Sequence, residues 1–173
     1  MPENMAKPRV FEASGGVWAQ LRIEAMQAVA EEPLLASFLH ATILHHDRIE
    51  EALSYHLAQK LGGGDMSPLQ LREVCREAFT ADPEIARSAE RDMRAVRERD
   101  PACRSYLQPF LFFKGYVGLQ AYRISHWLCR KVRGSLASTL QSRISELFSV
   151  YLYPAAKLGA GIFIDHAHGI VIG

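Results

Sequence analysis

Aliphatic side chains recur at every sixth residue near the carboxyl end of the chain. Leu152, Leu158, Ile164 and Ile170 keep this spacing, with small residues between them. The period fits neither an α-helix, which has about 3.6 residues per turn, nor the alternation of an ordinary β-strand. It is typical of a hexapeptide parallel β-helix, in which each repeat forms one flat side of a triangular coil and points its aliphatic residue inward. An apolar hairpin with fortuitous spacing is the alternative.

Residues 149–173 are therefore predicted to form the first coil of a β-helix, and an incomplete one. Three hexapeptide repeats make one coil, so this segment supplies little more than a single turn. Such coils bury their inward faces only by stacking on neighbours. We expect either a truncated piece of a longer protein or a segment that leans on helices or on another chain.

Residues 17–148 carry the apolar periodicity of α-helices. Ser67 followed by Pro68 predicts a helix start, because a hydroxyl caps the unpaired amide groups and proline needs no amide donor there. Asp100 before Pro101 predicts a helix end, since the residue before proline is pushed out of the helical region. The sequence thus predicts a mainly α protein, with an α-helical bundle of six to eight helices ahead of the coil.

Two helical segments carry specific expectations about burial. Charges of both signs alternate from Glu84 to Arg99, and a solvated helix with ion pairs one turn apart explains them. We therefore expect these charges, including Asp92, to face water. After Pro33 an apolar helical pattern continues, which predicts one apolar stripe formed by Leu34, Leu35, Phe38, Leu39, Ile43 and Leu44.

Composition is that of a soluble globular protein, with 49% hydrophobic and 23% charged residues. A formal net charge of +1 gives no overall attraction to nucleic acid or to a membrane surface, so neither is an expected partner. The apolar stretches are shorter than the roughly 20 residues of a membrane span. Residues 1–16 are predicted to be a flexible segment without a secretory signal. Three widely spaced cysteines fit a reduced, cytoplasmic protein.

Four of the seven histidines lie between His40 and His56. A zinc site on a helix needs ligands three or four residues apart, with a carboxylate nearby. His40 and His45 are five apart, and the sequence contains no HExxH motif. Surface or packed histidines explain the cluster better, so we predict no metal site.

The repeat and the helical segment together resemble the bacterial serine acetyltransferases, which are hexapeptide-repeat acyltransferases. The run from Pro154 to Gly173 resembles the entry to the catalytic β-helix of that family. Matching motifs precede it in the same order: Ala36-Ser37-Phe38 with His40-Ala41-Thr42, Ala52-Leu53-Ser54-Tyr55, Ala81-Asp82-Pro83-Glu84, Arg99-Asp100-Pro101-Ala102, and Leu119-Gln120-Ala121-Tyr122-Arg123-Ile124 with His126-Trp127. The resemblance spans nearly the whole chain and omits only the first dozen or so residues.

This resemblance implies a left-handed parallel β-helix after the helical domain, and the activity of a serine O-acetyltransferase. Members transfer an acetyl group from acetyl-CoA, a co-substrate and not a resident cofactor, to L-serine, giving O-acetylserine for cysteine biosynthesis. The resemblance further implies a homo-oligomer, a hexamer built as a dimer of trimers, and feedback inhibition by L-cysteine. It also implies docking to cysteine synthase through a C-terminal tail, which we expect beyond Gly173.

Three residues take roles from the same resemblance. His166 matches the catalytic base, a task that suits an imidazole with its ordinary pKa near 6.5. Asp165 matches the residue that holds the substrate amine and a second histidine, and Asp100 matches a further serine-binding carboxylate from the helical domain. The acetyl-CoA-binding residues are expected beyond Gly173. Without the resemblance, Asp165 and His166 read as a solvated turn and Asp100 as a helix end.

Tyr151 departs from the family pattern, which has aspartate at this position. That carboxylate orients the base, and loss of such a charged orienter lowers the rate about 10⁴-fold in the serine-protease triad. The rest of the site, including the acetyl-CoA-binding residues, is expected beyond Gly173. Its absence and the tyrosine at position 151 together predict that the present chain is inactive or nearly so. The alternatives are a non-catalytic helical oligomerisation module derived from the family, and an acyltransferase for another acceptor such as a sugar or homoserine.

Overall fold

The computed structural model describes residues 15–173, so the predicted flexible segment 1–16 lies almost wholly outside the described residues. Within that range the chain is mainly α-helical, with a short parallel strand pair at its end, which confirms the predicted fold class. The elements are α1 Gly16–Glu31, a 3₁₀ turn Pro33–Leu35, α2 Ala36–Leu39, a π-turn His40–Leu44, α3 Ile49–Leu61, α4 Pro68–Ala81, α5 Glu84–Arg99, α6 Leu107–Phe112, α7 Lys114–Arg130, α8 Gly134–Phe148, β1 Val150–Leu152 and β2 Ile170–Ile172. None of the described helices is long and apolar enough to span a membrane.

The predicted start of α4 is confirmed in atomic detail. The Ser67 hydroxyl accepts the Gln70 amide at 3.2 Å, and the Gln70 side chain accepts the Ser67 amide at 2.9 Å. This reciprocal pair satisfies two amide groups that the first helical turn leaves without partners. The predicted end of α5 also holds, because the helix stops at Arg99 and Asp100 follows in an extended conformation.

Helix α7 is the centre of the fold. It packs against α3, α4, α5, α6 and α8, and it also contacts β1. Thirteen of its 17 residues are buried, as expected for a helix covered on nearly every side. The small residue Gly118 lets β1 approach closely, since a Cβ added there would lie 3.0 Å from Val150 Cγ2.

The coil has a different register from the one that the hexapeptide spacing predicts. Three repeats would place Leu152 beside Ile170, but the parallel ladder pairs Val150 with Ile170 and Leu152 with Ile172. Leu152 and Ile164 are nonetheless buried, and Leu158 and Ile170 are partly buried against the same core. The two additional residues therefore fall in the bend after Ile164.

Two burial predictions are wrong. Asp92 is fully buried on α5, because it lies on the same face of the helix as Ala89 and Val96, both of which are also buried. In the stripe predicted after Pro33, Leu39 and Ile43 are buried, but Leu34 is 90% exposed and Phe38 is 41% exposed. The sequence breaks into short turns after α1, so the apolar residues there do not share one core-facing helical stripe.

Candidate functional site

Asp100, Asp165 and His166 line one cleft of about 430 Å³, at the junction of the helices and the coil. Asp100 comes from the end of α5, and the other two come from the coil bend. Between Asp100 and the coil bend, the cleft is lined by the segment that joins α6 to α7. The fold thus brings together the three residues that the family resemblance singled out, although Asp100 lies 65 residues before Asp165 in the sequence.

The bend that carries His166 has an uncommon backbone. The Ala167 amide donates to the Asp165 carbonyl oxygen at 2.6 Å, which closes a three-residue turn. His166 and Ala167 both have a φ of 53°, a left-handed conformation that non-glycine residues rarely adopt. Ala167 is buried, while the side chains of His166 and Asp165 are 85% and 60% exposed. The turn therefore anchors its methyl group inside and presents the imidazole and the carboxylate to the cleft.

The two side chains of the bend form a loose pair. His166 Nε2 lies 3.5 Å from Asp165 Oδ1, and both groups remain accessible to solvent. Exposed pairs of this kind contribute little to stability, about 0–1 kcal/mol. Both groups can therefore exchange their mutual contact for a ligand at small cost.

Asp100 is held more firmly. Its side-chain Oδ1 accepts the Ala102 amide at 2.8 Å, and its own amide donates to the Val96 carbonyl at 2.9 Å. The Cys103 amide in turn donates to the Asp100 carbonyl oxygen at 3.2 Å. These bonds fix the carboxylate at the helix end, where it faces the cleft half-buried.

Sequence reasoning missed two further polar residues of the cleft, Lys114 and His168. Lys114 Nζ lies 3.2 Å from His168 Nδ1, which joins the start of α7 to the coil bend. His168 carried a signal, because it takes the repeat position that Ala156 and Ile162 occupy earlier. A polar residue at that position indicates a departure from the regular coil. Lys114 carried no comparable signal.

Tyr151 does not act on His166 in this structure. Val150 and Leu152 on either side are buried, whereas Tyr151 is 42% exposed and pairs with Val171 on the outer face of the strands. Among residues 15–173, no hydrogen bond joins the Tyr151 hydroxyl to His166. Tyr151 therefore does not take the orienting role that the family resemblance implies for an aspartate at this position.

Two of the four clustered histidines, His46 and His56, are buried in the helical packing, and the other two, His40 and His45, are exposed. His46 Nε2 contacts the Ala41 carbonyl oxygen at 3.0 Å, and the His56 ring stacks on Phe110 with centroids 5.3 Å apart. Burial lowers the pKa of both rings, and that of His56 falls to about 4. Over residues 15–173, no group of three or more His, Cys, Asp or Glu side chains is arranged to hold a metal ion.

The fold and the cleft define a class of protein in which a helical domain meets a parallel-β coil of hexapeptide repeats. The sequence model of the family described as "Serine acetyltransferase, N-terminal" matches residues 17–121. The chain belongs to this family, which confirms the resemblance seen in the motifs.

Relatives and solved structures agree with this assignment. The serine acetyltransferase of Salmonella typhimurium is 51% identical over 157 residues, which cover 91% of this chain and 58% of that protein. A serine acetyltransferase solved in complex with cysteine superposes with a TM-score of 0.89 at 48% identity, covering 91% of this chain and 61% of that one. The Brucella abortus enzyme in complex with coenzyme A gives a TM-score of 0.88 at 40% identity, covering 91% and 63%. The chain thus spans 58% of the length of the Salmonella relative.

Proposed function

We propose that this chain is part of a serine O-acetyltransferase, which transfers the acetyl group of acetyl-CoA to the hydroxyl of L-serine. The observation that carries the proposal is the meeting of Asp100, Asp165 and His166 in one cleft. One structural relative binds cysteine, which differs from serine only by sulfur in place of oxygen, and another binds coenzyme A. Both ligands suit this reaction, and L-cysteine then inhibits by competing for the serine subsite.

The chemistry of the cleft supports distinct roles for the three residues. Asp100 and Asp165 offer two carboxylates to the substrate ammonium group, which needs opposite charge when it leaves water. His166 accepts the hydroxyl proton as the serine oxygen attacks the thioester carbonyl, and the tetrahedral intermediate then expels the CoA thiolate. The imidazolium returns its proton to that leaving group, so the base is regenerated. We assign none of the described residues to acetyl-CoA.

The oligomeric state belongs to the same proposal. Four large apolar side chains on and after α1 are exposed, namely Met26, Leu34, Leu35 and Phe38, and we infer from their closeness in sequence that they form one apolar patch. Apolar surface of this kind favours contact between subunits. The patch supports a homo-oligomer joined through its helical domains, of which the hexameric dimer of trimers is the predicted form. Docking to cysteine synthase and a cytoplasmic location remain part of the prediction, the latter supported by Cys75, Cys103 and Cys129, which form no disulfide within residues 15–173.

The same patch, together with Tyr151, favours a second candidate, a helical oligomerisation module that has lost the chemistry. L-serine binding separates the two candidates. We expect L-serine, added to isotope-labelled protein, to shift the amide resonances of Asp100, Asp165 and His166. D-Serine and L-alanine should shift them less, and Asp165→Asn should weaken the effect. If L-serine leaves these resonances unchanged, the acetyltransferase proposal fails and the oligomerisation module is favoured.

Turnover is tested with CoA release. In the 173-residue chain we expect little, because the candidate base is 85% exposed and Tyr151 stands where the family resemblance implies an orienting aspartate. We therefore propose a chimera in which residues 1–173 replace the matching part of the Salmonella typhimurium enzyme. It should release CoA only with L-serine, at a rate reduced by up to about 10⁴-fold, and Tyr151→Asp should restore much of that loss. A chimera that stays inactive with Tyr151→Asp contradicts the proposed role of these residues.

A further inference from the structure

A buried ion pair joins α5 to α7 beneath the coil. Asp92 Oδ2 accepts hydrogen bonds from Arg123 Nε at 3.0 Å and Nη2 at 2.6 Å, and a third from Gln120 Nε2 at 3.0 Å. Asp92 is completely buried and Arg123 is 8% exposed. A single carboxylate oxygen thus accepts from two nitrogens of the guanidinium, which leaves Oδ1 of Asp92 for another donor.

Both members of this pair also bind the backbone of the coil. The Ile162 amide donates to Asp92 Oδ1 at 3.0 Å, and Arg123 Nη2 donates to the Gly159 carbonyl oxygen at 2.9 Å. Residues 159–162 belong to neither strand, so no ladder supplies partners for these backbone groups. The side chains of the ion pair therefore supply hydrogen bonds to the backbone of this segment, as a neighbouring strand would in a sheet.

Stability alone is a weak reason for this arrangement. A buried ion pair loses the hydration of two charges, and well-packed apolar residues in its place are often equally stable or more so. What apolar residues cannot supply is a fixed acceptor for the Ile162 amide and a fixed donor for the Gly159 carbonyl. The pair thus fixes the position of the coil on the helices. Apolar packing alone would fix that position less precisely, because it is not directional.

The spacing along α5 connects this anchor to the cleft. Asp100 directly follows the last residue of α5, eight residues after Asp92, which is about 12 Å along the helix axis. On the coil, Ile162 lies three residues before Asp165, which is about 10 Å of extended chain. The two distances are similar, so anchoring Ile162 on Asp92 brings Asp165 opposite Asp100.

We propose that Asp92 and Arg123 are positioning residues that set the width of the serine cleft by holding Gly159–Ile162 on the helical domain. The inference rests on the proposed function, since the cleft is the candidate serine subsite. Neither residue touches the cleft, and both act through the coil backbone. An error of about 1 Å in such a site can lower a rate about 10²-fold.

The test removes the whole polar cluster and leaves no buried charge without a partner. In the triple variant Asp92→Leu/Gln120→Leu/Arg123→Met, we expect hydrogen exchange of the Ile162 amide to accelerate at least tenfold. Exchange of the Ala167 amide, which closes the His166 turn, should also accelerate, and the affinity for L-serine should fall at least tenfold. Ile144→Val in the core of α8 is the control for a general loss of stability, and it should change none of the three.

Arg123→Lys keeps the charge and serves if the triple variant does not fold. The lysine side chain has only one nitrogen, so it cannot reproduce the hydrogen bonds that the guanidinium makes to Asp92 and to the Gly159 carbonyl oxygen. We therefore expect smaller changes in the two amide exchange rates and in the L-serine affinity. Unchanged Ala167 exchange and L-serine affinity, despite accelerated Ile162 exchange, would overturn the inference. If the unmodified protein does not bind L-serine, the proposed function fails. Hydrogen exchange of the Ala167 amide in the triple variant then tests by itself whether the ion pair positions the turn.

Discussion

Gly115 is a point of close approach between α7 and the coil, and substituting it tests how the cleft is assembled. A Cβ added at Gly115 falls well inside the van der Waals contact distance of the Ile164 carbonyl oxygen and lies 3.1 Å from the carbonyl carbon. These are backbone atoms, which cannot rotate aside as a flexible side chain can. In Gly115→Ala the coil must therefore withdraw by roughly 1 Å before the atoms reach ordinary contact distance.

The chain offers a matched control for the magnitude. Gly134 lies in the first turn of α8, as Gly115 does in α7, and a Cβ added at Gly134 meets no atom within 4 Å. Both substitutions gain the helix preference of alanine over glycine, up to about 1 kcal/mol. Their difference therefore isolates the steric cost, which we expect to be about 1–3 kcal/mol in the free energy of unfolding.

Urea denaturation of the two variants measures this difference. We expect Gly134→Ala to be as stable as the unmodified protein or more so, and Gly115→Ala to unfold at lower urea. The amide resonances of Asp165 and His166 should shift in Gly115→Ala alone, because Ile164 immediately precedes the bend. Equal stability of the two variants would refute the close approach and with it the described docking of the coil.

Two further predictions concern the helical domain. Burial, with a smaller effect from the Lys60 charge, lowers the pKa of His56 to about 4. Between pH 6.5 and 4 the unfolded chain therefore binds a proton at His56 that the folded protein does not bind, so the free energy of unfolding decreases by up to about 3 kcal/mol as the pH is lowered. Urea titrations should show a smaller decrease in His56→Phe. Identical pH profiles of the two proteins would contradict this prediction. Ser67→Ala removes the hydroxyl cap of α4 and should lower the free energy of unfolding by about 1 kcal/mol, whereas Ser67→Thr should retain most of it; equal losses in both variants would rule out the cap.

Local signals in the sequence predicted local structure well. The hydroxyl of Ser67 and the ring of Pro68 act within one helical turn, so the start of α4 was accessible from neighbouring residues alone. The hexapeptide period likewise reports on which side chains point inward. The register of the coil was not accessible in this way, because it depends on how many residues the bend after Ile164 takes up.

Burial of charge was the harder problem. Asp92 stands among surface charges on α5, and its own sequence neighbours give no sign of the arginine that meets it from α7. Its position three residues after Ala89 and four before Val96 was the available signal, since both of those residues are apolar. A partner from a distant part of the sequence thus allows a charged residue to be buried that the local pattern predicts to be exposed.

A single coil is marginal by itself, and the structure shows where its partners come from. Its ladder has only three residues in each strand, too few for an independent sheet. The helical domain supplies what further coils would otherwise provide: Gly115 and Gly118 admit the chain, while Asp92 and Arg123 bind its backbone. The candidate cleft lies at this same junction. The contacts that stabilise the coil are therefore the ones that determine where Asp165 and His166 stand relative to Asp100.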